Sequence, residues 1–264
     1  YLNSVPLAWG LLEGPLKDDF DPVFSTPAQC AEQLASGAVD VGLIPSVEYQ
    51  RIKGCRIVPG PAIASLSRVQ SVLLLSLLPL FRVQTVAFDP ASRSSVVLAR
   101  VIFNEFYGVR PEFLGAEPDP ARMLATNDAA LIIGDTALRY KAANLLPDVA
   151  DQKDLVRLGA EPMETFDLME RWNILTGLPF VFAFWAVRPG FDDKTIVDKL
   201  VESRELGLAN LETIAERHSE TMEMDKAFLL SYLRNNVYYH MDSDCVEALG
   251  VFYRMAAAAG AVKY

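Results

Sequence analysis

The sequence predicts an α/β fold of two lobes joined by two crossing strands and followed by a helical C-terminal segment. Three observations lead there. Short helical stretches alternate with buried strands through the first half of the chain. Two extended apolar runs, at 71–76 and 180–187, have proline close by and bracket a block the size of one small domain. From Asp192 onward the pattern changes to helices. On this basis residues 1–78 form the first part of lobe one and 79–183 form lobe two. Residues 184–264 supply the return strand and the C-terminal helices.

The elements follow in order. Residues 27–36 carry Ala28, Ala31, Leu34 and Ala35 on one side of a helix, and Gly37 ends it. Residues 39–44 read as a buried strand, after which Pro45-Ser46 opens a further helical segment. Residues 85–88 and 129–133 are strands, with a helix over 96–107 between them that Gly108 closes. Repeated βα units of this kind predict parallel sheets covered by helices. The C-terminal helices are expected at 194–218, 225–235 and 243–259.

Composition limits the functional classes. The 264 residues are 51% apolar and 22% charged, enough for a full core. A net charge of −10 argues against non-specific attraction to nucleic acid or anionic lipid. An anionic ligand therefore needs local positive potential from its own site. Cys30, Cys55 and Cys245 are odd in number and lack metal-ligand spacing, which favours reduced thiols and a cytoplasmic setting. His218 and His240 lie outside every motif, so no metal site is expected. The longest apolar run, 72–81, is broken by Ser76 and Pro79 and falls short of the ~20 residues of a membrane helix.

Five segments put polar residues at strand ends, where open α/β sheets bind ligands beside helix N-termini. Tyr1-Leu-Asn-Ser-Val-Pro-Leu7 offers the Asn3 amide, with Ser4 as a helix cap. Gly42-Leu-Ile-Pro-Ser46 offers Ser46, which reads equally as a cap or as a ligand-facing hydroxyl; Glu48 follows as a first-turn charge. Residues 63–71 bring serines into a crossing strand, with Ser71 at the lobe junction. Asp89-Pro-Ala-Ser-Arg-Ser-Ser95 places Ser92, Arg93, Ser94 and Ser95 at a helix N-terminus, a carboxylate-binding pattern unless Arg93 only pairs with Asp89. Leu131-Ile-Ile-Gly-Asp135 offers Gly134 for close backbone approach and Asp135 as either an acceptor or a plain cap. Together they describe a cleft rich in N–H and OH donors and poor in strong bases.

The strings YLNSVPL, VDVGLIPSVEY, DPASRSS, LIIGDTAL and TGLPFVFAFWAVR, in this order, resemble the chorismate dehydratase family of the futalosine route to menaquinone. The resemblance covers residues 1–188, and the C-terminal third agrees in style only. It implies a type II periplasmic-binding-protein fold. It also implies a carbon–oxygen lyase (hydro-lyase) that converts chorismate to 3-[(1-carboxyvinyl)oxy]benzoate without a cofactor. The family carries a strand before its Tyr-Leu-Asn-Ser motif, so lobe one is expected to be a core strand short. Ser67 stands where the family has Gly, and Thr136 where Pro or Ala is common.

The reaction removes one ring hydrogen and a ring hydroxyl as water, leaving an aromatic ring. On this resemblance, Asn3 and Ser71 are the expected catalytic residues, orienting the reacting groups and assisting hydroxide departure. Ser92, Arg93, Ser94 and Ser95 are expected to hold one substrate carboxylate and Ser46 the other, with Gly134 and Asp135 completing the site. No His or Lys lies in these segments, and Glu48 or Asp135 would face a dianion. A carboxylate of the substrate is therefore the expected proton acceptor. A solute-binding protein for a small carboxylate would use the same cleft. The sister enzyme that makes dihydroxynaphthoate has a Ser-Pro-Cys-Pro-Asn-type motif in place of Tyr-Leu-Asn-Ser, and no helix-turn-helix marks a regulator.

Overall fold

A computed structural model describes residues 1–145 and 163–262, so the stretch of lobe two at 146–162 lies outside the described residues. Two sheets form the frame. The first contains β1 (Val41–Pro45), β2 (Arg56–Ser65), β8 (Phe180–Val187) and β9 (Tyr238–His240), in the order β1-β8-β2-β9. The second contains β3 (Val72–Ser76), β4 (Thr85–Phe88), β5 (Glu112–Gly115), β6 (Ala129–Ile133) and β7 (Glu164–Asp167), in the order β5-β4-β6-β3-β7. The chain crosses to the second sheet between Ser65 and Val72 and returns between Asp167 and Phe180. β3 pairs along its length with β6 and β7, and β8 with β1 and β2.

The middle strands of the second sheet are apolar except at their ends, Ser76 of β3 and Thr85 of β4, because helices cover both faces. On one face Leu74, Val86 and Leu131 pack with Val97 and Val101 of α3 (Ser94–Ile102). On the other, Leu73, Ala87 and Ile132 meet Met123 of α4 (Pro120–Thr126) and Ala137 of α5 (Gly134–Leu145). Strand alternation sorts each residue to its face. The first core cluster does not stop at the lobe boundary. It continues through Phe184 of β8 to Phe252 of α10 (Ser243–Ala258). There Trp172, on α6 (Leu168–Thr176), meets Phe180 and Phe252 edge-on, with ring centroids 5.3 and 6.1 Å away.

Several elements differ from the sequence expectation. Among the described residues, parallel pairing is confined to β4 with β5 and β6 and every other pair is antiparallel; β3 and β8 enter their sheets at the two crossings rather than after βα turns. The segment after Pro45 is a short 3-10 helix, Ser46–Gln50. The helix expected at 96–107 starts earlier, at Ser94, and finishes as a π-helical turn, Phe103–Tyr107. The long helix expected at 194–218 is two: α7 (Ile196–Ala209) and α8 (Leu211–Met222). They break at Asn210, whose side chain donates back to the Leu206 carbonyl at 2.7 Å, the self-competition expected of Asn inside a helix. Helix α2 (Pro27–Ser36) runs as expected, closed by Gly37 at φ 74° and opened by a Thr26–Gln29 capping box. Helix α9 (Lys226–Asn235) starts at an Asp225 cap.

Close helix packing fixes the start of the chain. Helix α1 (Val5–Leu12) crosses α7 where Gly10 and Gly207 remove side chains from the contact. A Cβ at Gly207 would sit 1.9 Å from the Pro6 carbonyl oxygen, and one at Gly10 would sit 2.6 Å from the Ser203 Cα. Ser203 joins the two backbones: its hydroxyl accepts from Gly10 N–H at 3.0 Å and donates to the Leu7 carbonyl at 2.9 Å. Gly207→Ala must therefore push α1 away. A loss of about 3 kcal/mol in unfolding free energy is expected from urea titration, at the upper end of ordinary overpacking.

Candidate functional site

Between the lobes lies a cavity of about 670 Å³. One end gathers the polar groups that the sequence singled out: Asn3, Ser71, Ser92, Arg93, Ser95 and Gly134 border it, as does Ser94. The rest of the lining mixes Leu11, Phe20, Phe191 and Leu200 with Asp21, Asp193 and the Lys199–Asp19 ion pair. It runs beneath residues 20–26 along the edge of β1 that has no strand partner among the described residues.

Helix α3 presents its N-terminus to the end of the cavity that Asn3 and Ser71 border. Arg93 occupies the N-cap position without a side-chain cap bond. The first N–H groups of the helix thus lack a capping side chain and carry the positive end of the helix dipole. Among the described residues, the buried Ser92 Oγ and Arg93 Nε atoms have no hydrogen-bond partner. Such groups call for an acceptor, since an unmet buried donor costs about 1–3 kcal/mol. The Arg93 guanidinium is held from outside by Glu32 of α2 at 3.1 Å, an ion pair across the rim of the cleft. It does not pair with Asp89. That carboxylate instead accepts from Ala91 N–H at 2.9 Å and from the Tyr1 hydroxyl at 3.4 Å. The Trp185 Nε1–H of β8 is a further buried donor without a partner among the described residues, on a side chain that borders the cavity.

Ser46 faces another way. It neither caps its helix nor lines the cavity. Its hydroxyl lies 3.2 Å from Ser94 Oγ, and its carbonyl accepts from the Tyr253 hydroxyl at 2.8 Å. Ser94 Oγ also donates to the Phe182 carbonyl of β8 at 3.0 Å and accepts from Val47 N–H at 3.3 Å. Ser46 and Ser94 thus tie α3 to the first sheet. Glu48 is taken up by Arg51 at 2.5 Å.

Asn3 and Ser71 approach from different directions. Asn3 sits in the 3-10 turn Leu2–Ser4 ahead of α1. Asp135 holds that turn by accepting from Leu2 N–H at 3.0 Å, and so stands behind the cavity rather than on it. Ser4 donates to the Tyr1 carbonyl at 2.8 Å and provides no side-chain cap. Gly134 donates its N–H to the Ser71 carbonyl at 2.8 Å. At φ 56°, with the Tyr1 ring 2.5 Å from where a Cβ would stand, this position requires glycine.

Behind Ser71 the junction is held by groups that sequence inspection did not find. Gln70 adopts φ 60°. The Asp167 carboxylate accepts from Gln70 N–H at 2.7 Å and from Val69 N–H at 3.0 Å. Burial raises the Asp167 pKa, and these backbone N–H groups partly oppose the shift. From α9, the Tyr232 hydroxyl donates to Ser71 Oγ at 2.9 Å. The signals for Asp167 and Tyr232 were absent because each depends on a contact about 100 residues or more away in sequence.

A cleft between two α/β lobes, each built on its own sheet and with a helix N-terminus at its edge, is the architecture of the binding-protein class of folds. Solved structures agree. The chain is similar to a protein of Archaeoglobus fulgidus (TM-score 0.67, 15% identity, covering 99% of this chain and 95% of that one). It is also similar to the periplasmic aliphatic sulphonate binding protein of Escherichia coli (TM-score 0.61, 15% identity, 97% and 88% covered). In sequence it is 32% identical over 260 residues to the chorismate dehydratase of Thermus thermophilus, covering 95% of this chain and 93% of that protein. The menaquinone biosynthesis family model matches residues 1–258, and the chain belongs to that family. No described helix is long and apolar enough to cross a membrane, and no described cluster of His, Cys, Asp or Glu suits a metal ion.

The Ser94 ties admit a direct test. Ser94→Ala leaves the Phe182 carbonyl and the Val47 N–H short of a partner in a buried contact. Unfolding free energy measured with urea should fall by about 2–3 kcal/mol.

Proposed function

We propose that the protein is a cytoplasmic chorismate dehydratase, a hydro-lyase that forms 3-[(1-carboxyvinyl)oxy]benzoate and water. The observation that carries this reading is the convergence of Asn3, Ser71 and the open donors of Ser92 and Arg93 on one end of the cavity. Membership of the menaquinone biosynthesis family and the 32% identity to a chorismate dehydratase support it. Three free cysteines agree with a reducing compartment.

In this reading one substrate carboxylate docks on the N-terminus of α3, accepting from Ser92, Ser95 and Arg93. The proton leaves the ring carbon that bears the enolpyruvyl ether, and the C–H electron pair begins the new ring double bond. The adjacent hydroxyl departs and takes up a proton, so that chorismate yields the aromatic acid and one water. Asn3 and Ser71 orient the reacting atoms and donate hydrogen bonds to the departing oxygen. The second substrate carboxylate accepts the ring proton. A carboxylate gripped by a cation would be a weaker base, so this role suits the carboxylate away from Arg93. Ser46, Ser94, Gly134 and Asp135 act through the backbone and helix they hold.

Incubation with chorismate should give the aromatic enolpyruvyl ether, followed by absorbance and NMR. Asn3→Ala and Ser71→Ala should each lower kcat by about 10²–10³-fold, as loss of an oriented donor does. Near-normal turnover in both variants rules out their assignment. Chorismate binding with no product above the uncatalysed background would leave a carboxylate-binding protein. Arg93→Gln should act mainly on KM, raising it by about 10–100-fold, the equivalent of one charge-assisted hydrogen bond.

A further inference from the structure

The Ser71 hydroxyl is buried and, among the described residues, has one hydrogen-bond partner, the Tyr232 hydroxyl 2.9 Å away. Tyr232 lies on α9, in the helical third of the chain, and is itself buried in the cluster that contains Leu2, Leu7 and Tyr239. Its phenol oxygen also interacts with the Asn3 side chain. One group from the C-terminal helices therefore bonds to one of the residues assigned to the reacting end of the cavity and lies near the other. The same helix end grips the junction a second time. Asn236 donates to the Arg68 carbonyl at 3.2 Å and accepts from the Gln70 side chain at 3.1 Å.

The direction of the hydrogen bond matters. A serine hydroxyl has one proton to give and two lone pairs to receive with. Where Tyr232 donates to Ser71 Oγ, the serine's own proton is left to point elsewhere, and Ser71 borders the cavity. The reverse arrangement would spend the serine proton on the phenol and offer the substrate only a lone pair, which repels a departing hydroxide. Burial raises the Tyr232 pKa well above the ordinary tyrosine value. The phenol therefore stays neutral at ordinary pH and keeps a proton to donate to Ser71 Oγ.

We propose that Tyr232 is a positioning residue for the dehydration. Its hydroxyl, by donating to Ser71 Oγ, sets Ser71 as a donor toward the leaving oxygen. This rests on the role proposed above for Ser71. Tyr232 touches no substrate atom in this scheme and acts through Ser71, so its effect must vanish when the serine hydroxyl is gone.

A double-mutant cycle tests this on the full chain with chorismate as substrate. Tyr232→Phe should lower kcat about tenfold and leave KM within about twofold, because binding on α3 is untouched. Added to Ser71→Ala, the same change should lower kcat no further. Tyr239→Phe is the control. It removes a neighbouring buried hydroxyl that has no hydrogen-bond partner among the described residues, and kcat should stay unchanged. Unchanged kcat in Tyr232→Phe overturns the proposal, as does an equal fall in the Ser71→Ala background, the mark of a purely structural role. Near-normal turnover in Ser71→Ala overturns both the proposal and the assignment of Ser71. A large fall in Ser71→Ala with none in Tyr232→Phe overturns the Tyr232 proposal alone. Should Tyr232→Phe fail to fold, a series of fluorinated tyrosines placed at 232 keeps the hydroxyl and ring shape while strengthening the donor. Then kcat should vary steadily with phenol acidity, and a flat series overturns the proposal.

Discussion

The three-way hydrogen bonding of Ser94 is the contact on which the cleft depends. One hydroxyl reaches the end of β1 through Ser46 and Val47, and the middle of β8 through the Phe182 carbonyl. That pins the first turn of α3 against the first sheet. Ser92 and Arg93, immediately before that turn, are then set at the cavity with their buried donors open. The same geometry explains why a serine is needed there. A hydroxyl can donate once and accept twice, and all three capacities are used.

A chain with net charge −10 repels an anionic ligand at long range. The carboxylate site proposed above would rely on short-range, oriented groups. N–H groups of a helix N-terminus, a serine hydroxyl and one guanidinium act within a few ångström, while salt screens the chain's overall charge beyond about one Debye length. A helix terminus alone is worth ~0.3–1 kcal/mol, so convergence of several donors is what creates affinity. Glu32 orients Arg93 from the rim through Nη2 and leaves the buried Nε–H without a hydrogen-bond partner among the described residues.

Much of this was legible in the sequence where information is local. Strands over 85–88, 129–133 and 180–187 could be read because buried strands are short apolar runs with turn residues at their ends. The turn proposed to bind a carboxylate could be read because serines and an arginine precede a helix. Ser46 and Asp135 show the limit. From sequence each looks like a residue facing a ligand or capping a helix, and only the fold shows that Ser46 meets Ser94 and that Asp135 holds Leu2 N–H. Tyr232 was illegible for the same reason, since its partner Ser71 is 161 residues away. The long helix expected at 194–218 failed on one residue: amphipathic spacing continues across Asn210, while its amide satisfies the end of α7 and lets the chain turn.

The aromatic contact of Trp172, Phe180 and Phe252 has a consequence for cooperativity. These rings join α6, β8 and α10 in one dry cluster that continues into the second sheet. Two lobes that share a core cannot melt separately, because exposing either one strips apolar cover from the other. A single heat-absorption peak on unfolding is the behaviour expected of lobes that share one apolar cluster.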